Sequence, residues 1–288
     1  MLIIDFARPN GKTERVGVVG SCRVHDPLKA AARDGRGAFL WSAYNTFTHT
    51  PPETEQHIAF CRGRLEIPDP FGPYILRQEK IPILLDRLPE LVESCMTFMV
   101  EMSSVDVLRC GYYCFNQDYF SQMFVRGAGM GLLNWYRALS GRPVSPELIQ
   151  GARDALMEKG KPITVSTEEI LAATVTTPLS PEAFGEALDR VVFDSSRRWI
   201  FVPHFNISDR PDEQIAKRVV LRDILKGYAK AKGFEFYDPT PLVAKAGKAA
   251  ALEGEGADSF HYAPAFQPIV GEALYAAIMN EGSEGIGR

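Results

Sequence analysis

Val16-Gly17-Val18-Val19-Gly20-Ser21-Cys22-Arg23-Val24-His25 is the stretch around which the chain is organised. Its β-branched run breaks at a glycine and delivers a serine and a cysteine side by side. This is how a buried parallel strand presents a nucleophile at its carboxyl end. The plain alternative is a strand–turn–helix junction in which Ser21 and Cys22 carry no chemistry. After Arg23, residues 26–33 read as a helix with Pro27 in its first turn, giving the order strand, nucleophile loop, helix.

Working outward, residues 38–47 read as an aromatic-rich strand and residues 52–62 as a helix. Pro68-Asp69-Pro70-Phe71-Gly72-Pro73 reads as an irregular loop, and residues 81–94 as helical. Residues 96–102 form a second buried-strand candidate, whose carboxyl end falls on the same sheet edge as Ser21 if the two strands are parallel. From 111 to about 185 the pattern turns to aromatics, helix-forming runs and Pro- or Gly-containing joints, read as a helical insertion or cap. The aromatics Tyr112, Tyr113, Phe115, Tyr119 and Phe120 read as helical core, with a substrate pocket as the alternative. Alternation then resumes: helix 181–192, strand 198–203 ending in His204-Phe205-Asn206, helix 215–232, strand 234–237 and helix 266–279. The expected fold is one α/β domain over 1–288, a three-layer α/β/α sandwich with a mainly parallel sheet of about five strands.

Composition excludes several classes. With 45% hydrophobic and 24% charged residues the chain reads as globular, and a formal net charge of -4 offers no overall positive field to nucleic acid. No apolar run approaches the roughly 20 residues that span a bilayer, and no signal-type segment opens the sequence, so a cytoplasmic protein is expected. The five cysteines, Cys22, Cys61, Cys95, Cys110 and Cys114, are spread without metal-ligand spacing; reduced thiols are expected, and neither a metal nor a cofactor.

Three strand ends offer reactive groups: Ser21 with Cys22, His204 with Asn206, and the loop of Asp258 and His261. Acyl transfer needs a nucleophile, a base, a group that orients the base, and donors for the oxyanion. These segments supply all four. A carboxylate three residues before a histidine can reach its far ring nitrogen, fixing the tautomer and favouring the imidazolium.

Gly20-Ser21-Cys22 after the first strand, a strand-end Asn206, and Asp258-x-x-His261 before the last helix resemble the blocks of the SGNH (GDSL-like) hydrolase superfamily. The more specific likeness is to its GSCFA-type branch, in which Gly-Ser-Cys replaces Gly-Asp-Ser. The resemblance implies Ser21 as nucleophile, His261 as base, Asp258 as the orienting carboxylate and Asn206 as an oxyanion donor, with a backbone N–H of Ser21 or Cys22. The superfamily's second oxyanion block has no counterpart here; Asn45, Ser103 and Ser104 are candidates for it. Cys22 is either the rival nucleophile or a thiol turned into the core. Arg23 and His25 could recognise an anionic or sugar group, and His204 is an alternative base.

The expected function is serine-dependent hydrolysis of an acyl ester, with an O-acylated carbohydrate or a small molecule as substrate. The alternatives are an O-acyltransferase modifying a surface polysaccharide through the same residues, and a non-catalytic ligand-binding protein.

Overall fold

The computed structural model describes residues 1–8, 10–42, 46–77, 86–140, 143–207 and 215–279. Its main sheet has the order β3-β1-β2-β4-β8-β9. These strands are β1 (Leu2–Ala7), β2 (Thr13–Val19), β3 (Gly37–Ser42), β4 (Thr97–Met102), β8 (Arg198–Pro203) and β9 (Glu235–Phe236). Strands β2, β4, β8 and β9 run parallel, while β1 pairs antiparallel with both β2 and β3. The parallel part is the one that carries the site, because it collects the ends of β2, β4 and β8 on one edge.

Both faces of this sheet are covered, which is why its strands read as continuous apolar runs. On one face Val16, Val18 and Met99 pack with Val24 and Leu28 of α1 (Cys22–Ala31) and with Val270, Leu274 and Ile278 of the last helix, Gln267–Met279. The two helices approach closely: a Cβ on Gly271 would lie 2.3 Å from the Pro27 carbonyl oxygen. On the other face Phe98, Val100 and Phe201 pack with Ile58 of α2 (Pro51–Cys61), with Phe184 and Leu188 of the helix Pro181–Val191, and with Leu221 and Leu225 of the helix Ala216–Lys232. The mixed, mainly parallel three-layer architecture is as expected.

The segment expected to be a helical insertion is not all helix. It contains a second, antiparallel sheet of order β6-β5-β7, built from β5 (Asp106–Cys110), β6 (Tyr113–Phe115) and β7 (Thr174–Pro178). Helices Met130–Arg137, Pro146–Glu158 and Val165–Ala173 pack around it. Phe115, Phe120 and Tyr119 are buried in that core, whereas Tyr112 is fully exposed. Pro68–Pro73 is also more regular than expected, forming a 3-10 turn over Asp69–Phe71 that leads into a short helix, Gly72–Leu76. Of the helix expected at 81–94, the described part covers Leu88–Glu93; residues 81–85 lie outside the described residues.

The difference that matters most is at α1. The helix starts at Cys22, four residues earlier than its proline suggests, and Pro27 lies inside it. There is no nucleophile loop: Ser21 is the N-cap, with extended backbone, and Cys22 is the first helical residue.

Candidate functional site

The end of β2 sets the geometry. Gly20 has φ +148, a backbone conformation that side chains rarely adopt, and turns the chain sharply from strand to helix. Ser21 follows as the cap, and its Oγ accepts from the Arg23 N–H at 3.2 Å. Ser21 is 1% exposed, and its hydroxyl donates to Glu101 Oε2 at 2.5 Å; the same oxygen accepts the Ser21 N–H at 2.7 Å. No hydrogen bond joins Ser21 to His261. The serine is thus occupied by a buried carboxylate at the end of the neighbouring strand.

Cys22 is the residue brought to the histidine. It is partly exposed and lies close enough to His261 to act on the ring, while the other four cysteines are buried free thiols. His261 Nδ1 is 2.8 Å from Asp258 Oδ2, so the carboxylate holds one ring nitrogen. Asp258 also shapes its own loop, since Oδ1 accepts the N–H groups of Phe260 at 2.6 Å and His261 at 3.2 Å. The neighbouring Cys22, then the hydrogen bond with Asp258, raises His261 to about 9 against the opposing effect of burial. Burial pushes the Asp258 carboxyl up, but the bonds from His261 and Phe260 outweigh it and hold the group below the ordinary range. His261 is therefore held as an imidazolium beside the Asp258 carboxylate.

The start of α1 adds one more element. Of its first four N–H groups, that of Arg23 is capped by Ser21 Oγ, and those of Val24 and His25 reach the Ser21 carbonyl. The Cys22 N–H has no intrahelical acceptor, as expected of a first helical residue, and sits at the positive end of the helix dipole. A helix start of this kind can receive an anion.

The remaining predicted residues fall into place differently. Asn206 is buried at the end of β8, but its side-chain amide braces the following segment: Oδ1 accepts from Ile215 N at 2.9 Å and Nδ2 approaches Ile215 O at 3.4 Å. Its side-chain oxygen and amino group are both spent on the backbone. His204 is buried, with Nδ1 bonded to the Phe205 carbonyl at 2.7 Å and Nε2 without a partner. Burial, Arg23 and Arg218 hold it well below the ordinary histidine range, so it is a neutral ring and is not paired with Cys22 or Ser21. His25 is buried in α1 and packs edge-on against Phe47. Asn45 lies outside the described residues. Ser103 and Ser104 spend their N–H groups on the His49 carbonyl, at 2.9 and 3.0 Å.

Four neighbouring residues were missed by reading the sequence. Glu101 is 1% exposed and bonds Ser21 and Arg23; an isolated carboxylate inside an apolar strand is itself a signal, because a buried charge needs partners. His49 is tied to the same edge: the preceding Thr48 N–H donates to the Gly20 carbonyl at 3.1 Å, and His49 Nδ1 meets Ser103 Oγ at 2.7 Å. Asp118, from the inserted segment, lies 3.5 Å from His49 Nε2. The Asp118 carboxyl is lowered by His49 first and also by the charges of Arg23 and His261, against the opposing effect of burial. Arg218, in the first turn of the helix Ala216–Lys232, donates to the carbonyls of Phe205 at 3.3 Å and Ser259 at 3.2 Å.

Among the described residues, Glu253, Asp258 and His261 present ligand atoms within 4.8 Å of one another and could hold a cation. Asp258 and His261 are already committed to each other there. No helix of the described residues is long and apolar enough to cross a membrane.

The strand-to-helix junction at the parallel sheet edge thus brings Cys22 near His261 and Asp258. Residues 14–277 match the family described as the TviD N-terminal domain, and the chain belongs to that family. Among curated proteins it is similar to the Vi polysaccharide biosynthesis protein TviD of Salmonella typhi, at 23% identity over 266 residues. That match covers 91% of this chain and 31% of the relative, so the chain spans about a third of the relative's length. No solved structure matches. The comparisons give no support to the GSCFA-type likeness.

Proposed function

We propose that the chain is an acyltransferase that carries its acyl group as a thioester on Cys22 and passes it to a polysaccharide hydroxyl. The observation that carries this reading is Cys22, the first residue of α1, beside a His261 that is hydrogen-bonded to Asp258. A thiolate beside an imidazolium and a helix N-terminus is a good nucleophile. The polysaccharide is supported by the name of the Salmonella relative, a polysaccharide biosynthesis protein.

In the first half-reaction Cys22 Sγ attacks the acyl carbonyl carbon, and the negative oxygen that develops is met by the Cys22 N–H. Collapse breaks the bond to the leaving group, which takes the proton from His261 Nε2. In the second, the acceptor hydroxyl gives its proton to the now neutral His261 as its oxygen attacks the thioester. Collapse frees the Cys22 thiolate and the new ester, and Asp258 keeps the ring oriented throughout. Water in place of the sugar hydroxyl would make the same site a hydrolase.

The test is an acyl-enzyme chase. The protein is acetylated with p-nitrophenyl acetate, the adduct is mapped by peptide mass, and its decay is followed with and without a soluble polysaccharide. An adduct on Cys22, cleaved by neutral hydroxylamine and lost faster with the polysaccharide, is the expected result. Decay at the same rate with and without it would assign a hydrolase, and an adduct elsewhere would overturn the mechanism.

A further inference from the structure

We infer that Glu101 is the positioning residue that registers Cys22 against His261, an inference that rests on the thioester reading above. The sheet places it. In the parallel pair β2–β4, Val19 is opposite Val100, so the next residue of β4, Glu101, comes level with Gly20. Side chains alternate across a strand. Met99 packs into the core on the α1 face, and Glu101, two residues on, shares that face. Its carboxylate therefore arrives under the first turn of α1.

What it does there follows from its three donors. Oε2 takes the N–H and the hydroxyl of Ser21, at 2.7 and 2.5 Å, and Oε1 takes Arg23 Nε at 2.5 Å. Cys22 is thus flanked on both sides by residues fixed to one buried group. Arg23 extends the same anchor across the cleft, because its Nη1 donates to the Phe260 carbonyl at 3.3 Å, one residue before His261. Nucleophile and base come from opposite ends of the chain, and this carboxylate is what both ends share. Gly20 lets it approach: a Cβ there would lie 2.6 Å from Glu101 Cβ and 3.1 Å from Oε2. Only an acceptor on both oxygens satisfies this set, which an ionised carboxylate is and an amide is not.

Placement at this level matters for rate. A misplacement of about 1 Å remote from the chemistry can cost on the order of 100-fold in rate. A merely structural Glu101–Arg23 pair behaves differently, because replacing both members of a buried pair by apolar residues is often neutral for stability.

The experiment uses Glu101→Gln, Glu101→Asp and the double variant Glu101→Met with Arg23→Met, assayed with p-nitrophenyl acetate alongside thermal unfolding. Glu101→Gln is expected to lower kcat at least about 10-fold with KM changed less than about 3-fold. Glu101→Asp, which keeps the charge and loses the reach, is expected to lower kcat similarly while unfolding within a few degrees of the wild type. The double variant is expected to unfold at a higher temperature than Glu101→Gln yet to keep a kcat as low as that variant's. Recovery of kcat together with stability in the double variant, or full kcat in folded Glu101→Asp, would overturn the inference. Wild-type protein that forms no Cys22 adduct would instead refute the thioester reading, so the two failures are distinguishable.

Discussion

Cys22 lies beside His261, whereas Ser21, its immediate neighbour, donates its hydroxyl to Glu101 at 2.5 Å. Adjacent residues at a helix start point in different directions, and here one direction leads to the histidine and the other into the protein. The division of labour follows from helix geometry: the N-cap turns its oxygen back towards the first-turn N–H groups, and the first helical residue projects outward.

The pH dependence of acylation should report on His261. Its imidazolium supplies the leaving-group proton and persists to about 9, so kcat/KM is expected to fall as pH rises through that value. Asp258→Asn removes one of the influences that raise the group, so its alkaline limb should move to lower pH, with kcat also reduced. A limb that stays in place in Asp258→Asn would show that the carboxylate does not act on the ring.

Ser21→Ala should behave as a cap substitution. It loses the bond to the Arg23 N–H and the hydroxyl bond to Glu101, at a cost of about 1–2 kcal/mol in denaturant unfolding, while turnover is retained in part. Complete loss of turnover in a folded protein would count against a capping role.

Asn206→Ala separates bracing from catalysis. Removing a true oxyanion donor lowers kcat by on the order of 100-fold or more. Because the Asn206 side chain is spent on Ile215, the expected result is a stability loss of about 1–3 kcal/mol, with kcat within about 3-fold of wild type.

Gly20→Ala should fail for two independent reasons. The backbone φ of +148 is strained for alanine, and its Cβ would meet that of Glu101 at 2.6 Å. Such strain costs about 1–3 kcal/mol, and the shift needed to relieve it displaces Cys22. Expected outcomes are a lowered unfolding midpoint and a loss of acylation larger than that of Ser21→Ala.

Much of the fold was legible in the residues. Val16, Val18 and Val19, like Phe98 and Val100, announce strands buried on both faces, and β2 and β4 are indeed parallel neighbours. The second sheet was hidden because β5, β6 and β7 are only five, three and five residues long and sit among aromatics that equally suit a helical core. Ser21, Cys22, Asp258 and His261 stand out in the sequence, but the partners of Ser21 do not. Pro27 draws the eye to a helix start near residue 26, whereas the helix begins at Cys22, and that four-residue difference decides which side chain is the cap. The contacts of Glu101 depend on the register of β4 against β2, a long-range property that no local pattern encodes.

The most direct test of the account is the p-nitrophenol burst on mixing with p-nitrophenyl acetate, measured for Ser21→Ala and Cys22→Ala side by side. The account predicts that Ser21→Ala keeps a burst and that Cys22→Ala has none. A burst in Cys22→Ala together with its loss in folded Ser21→Ala would contradict it.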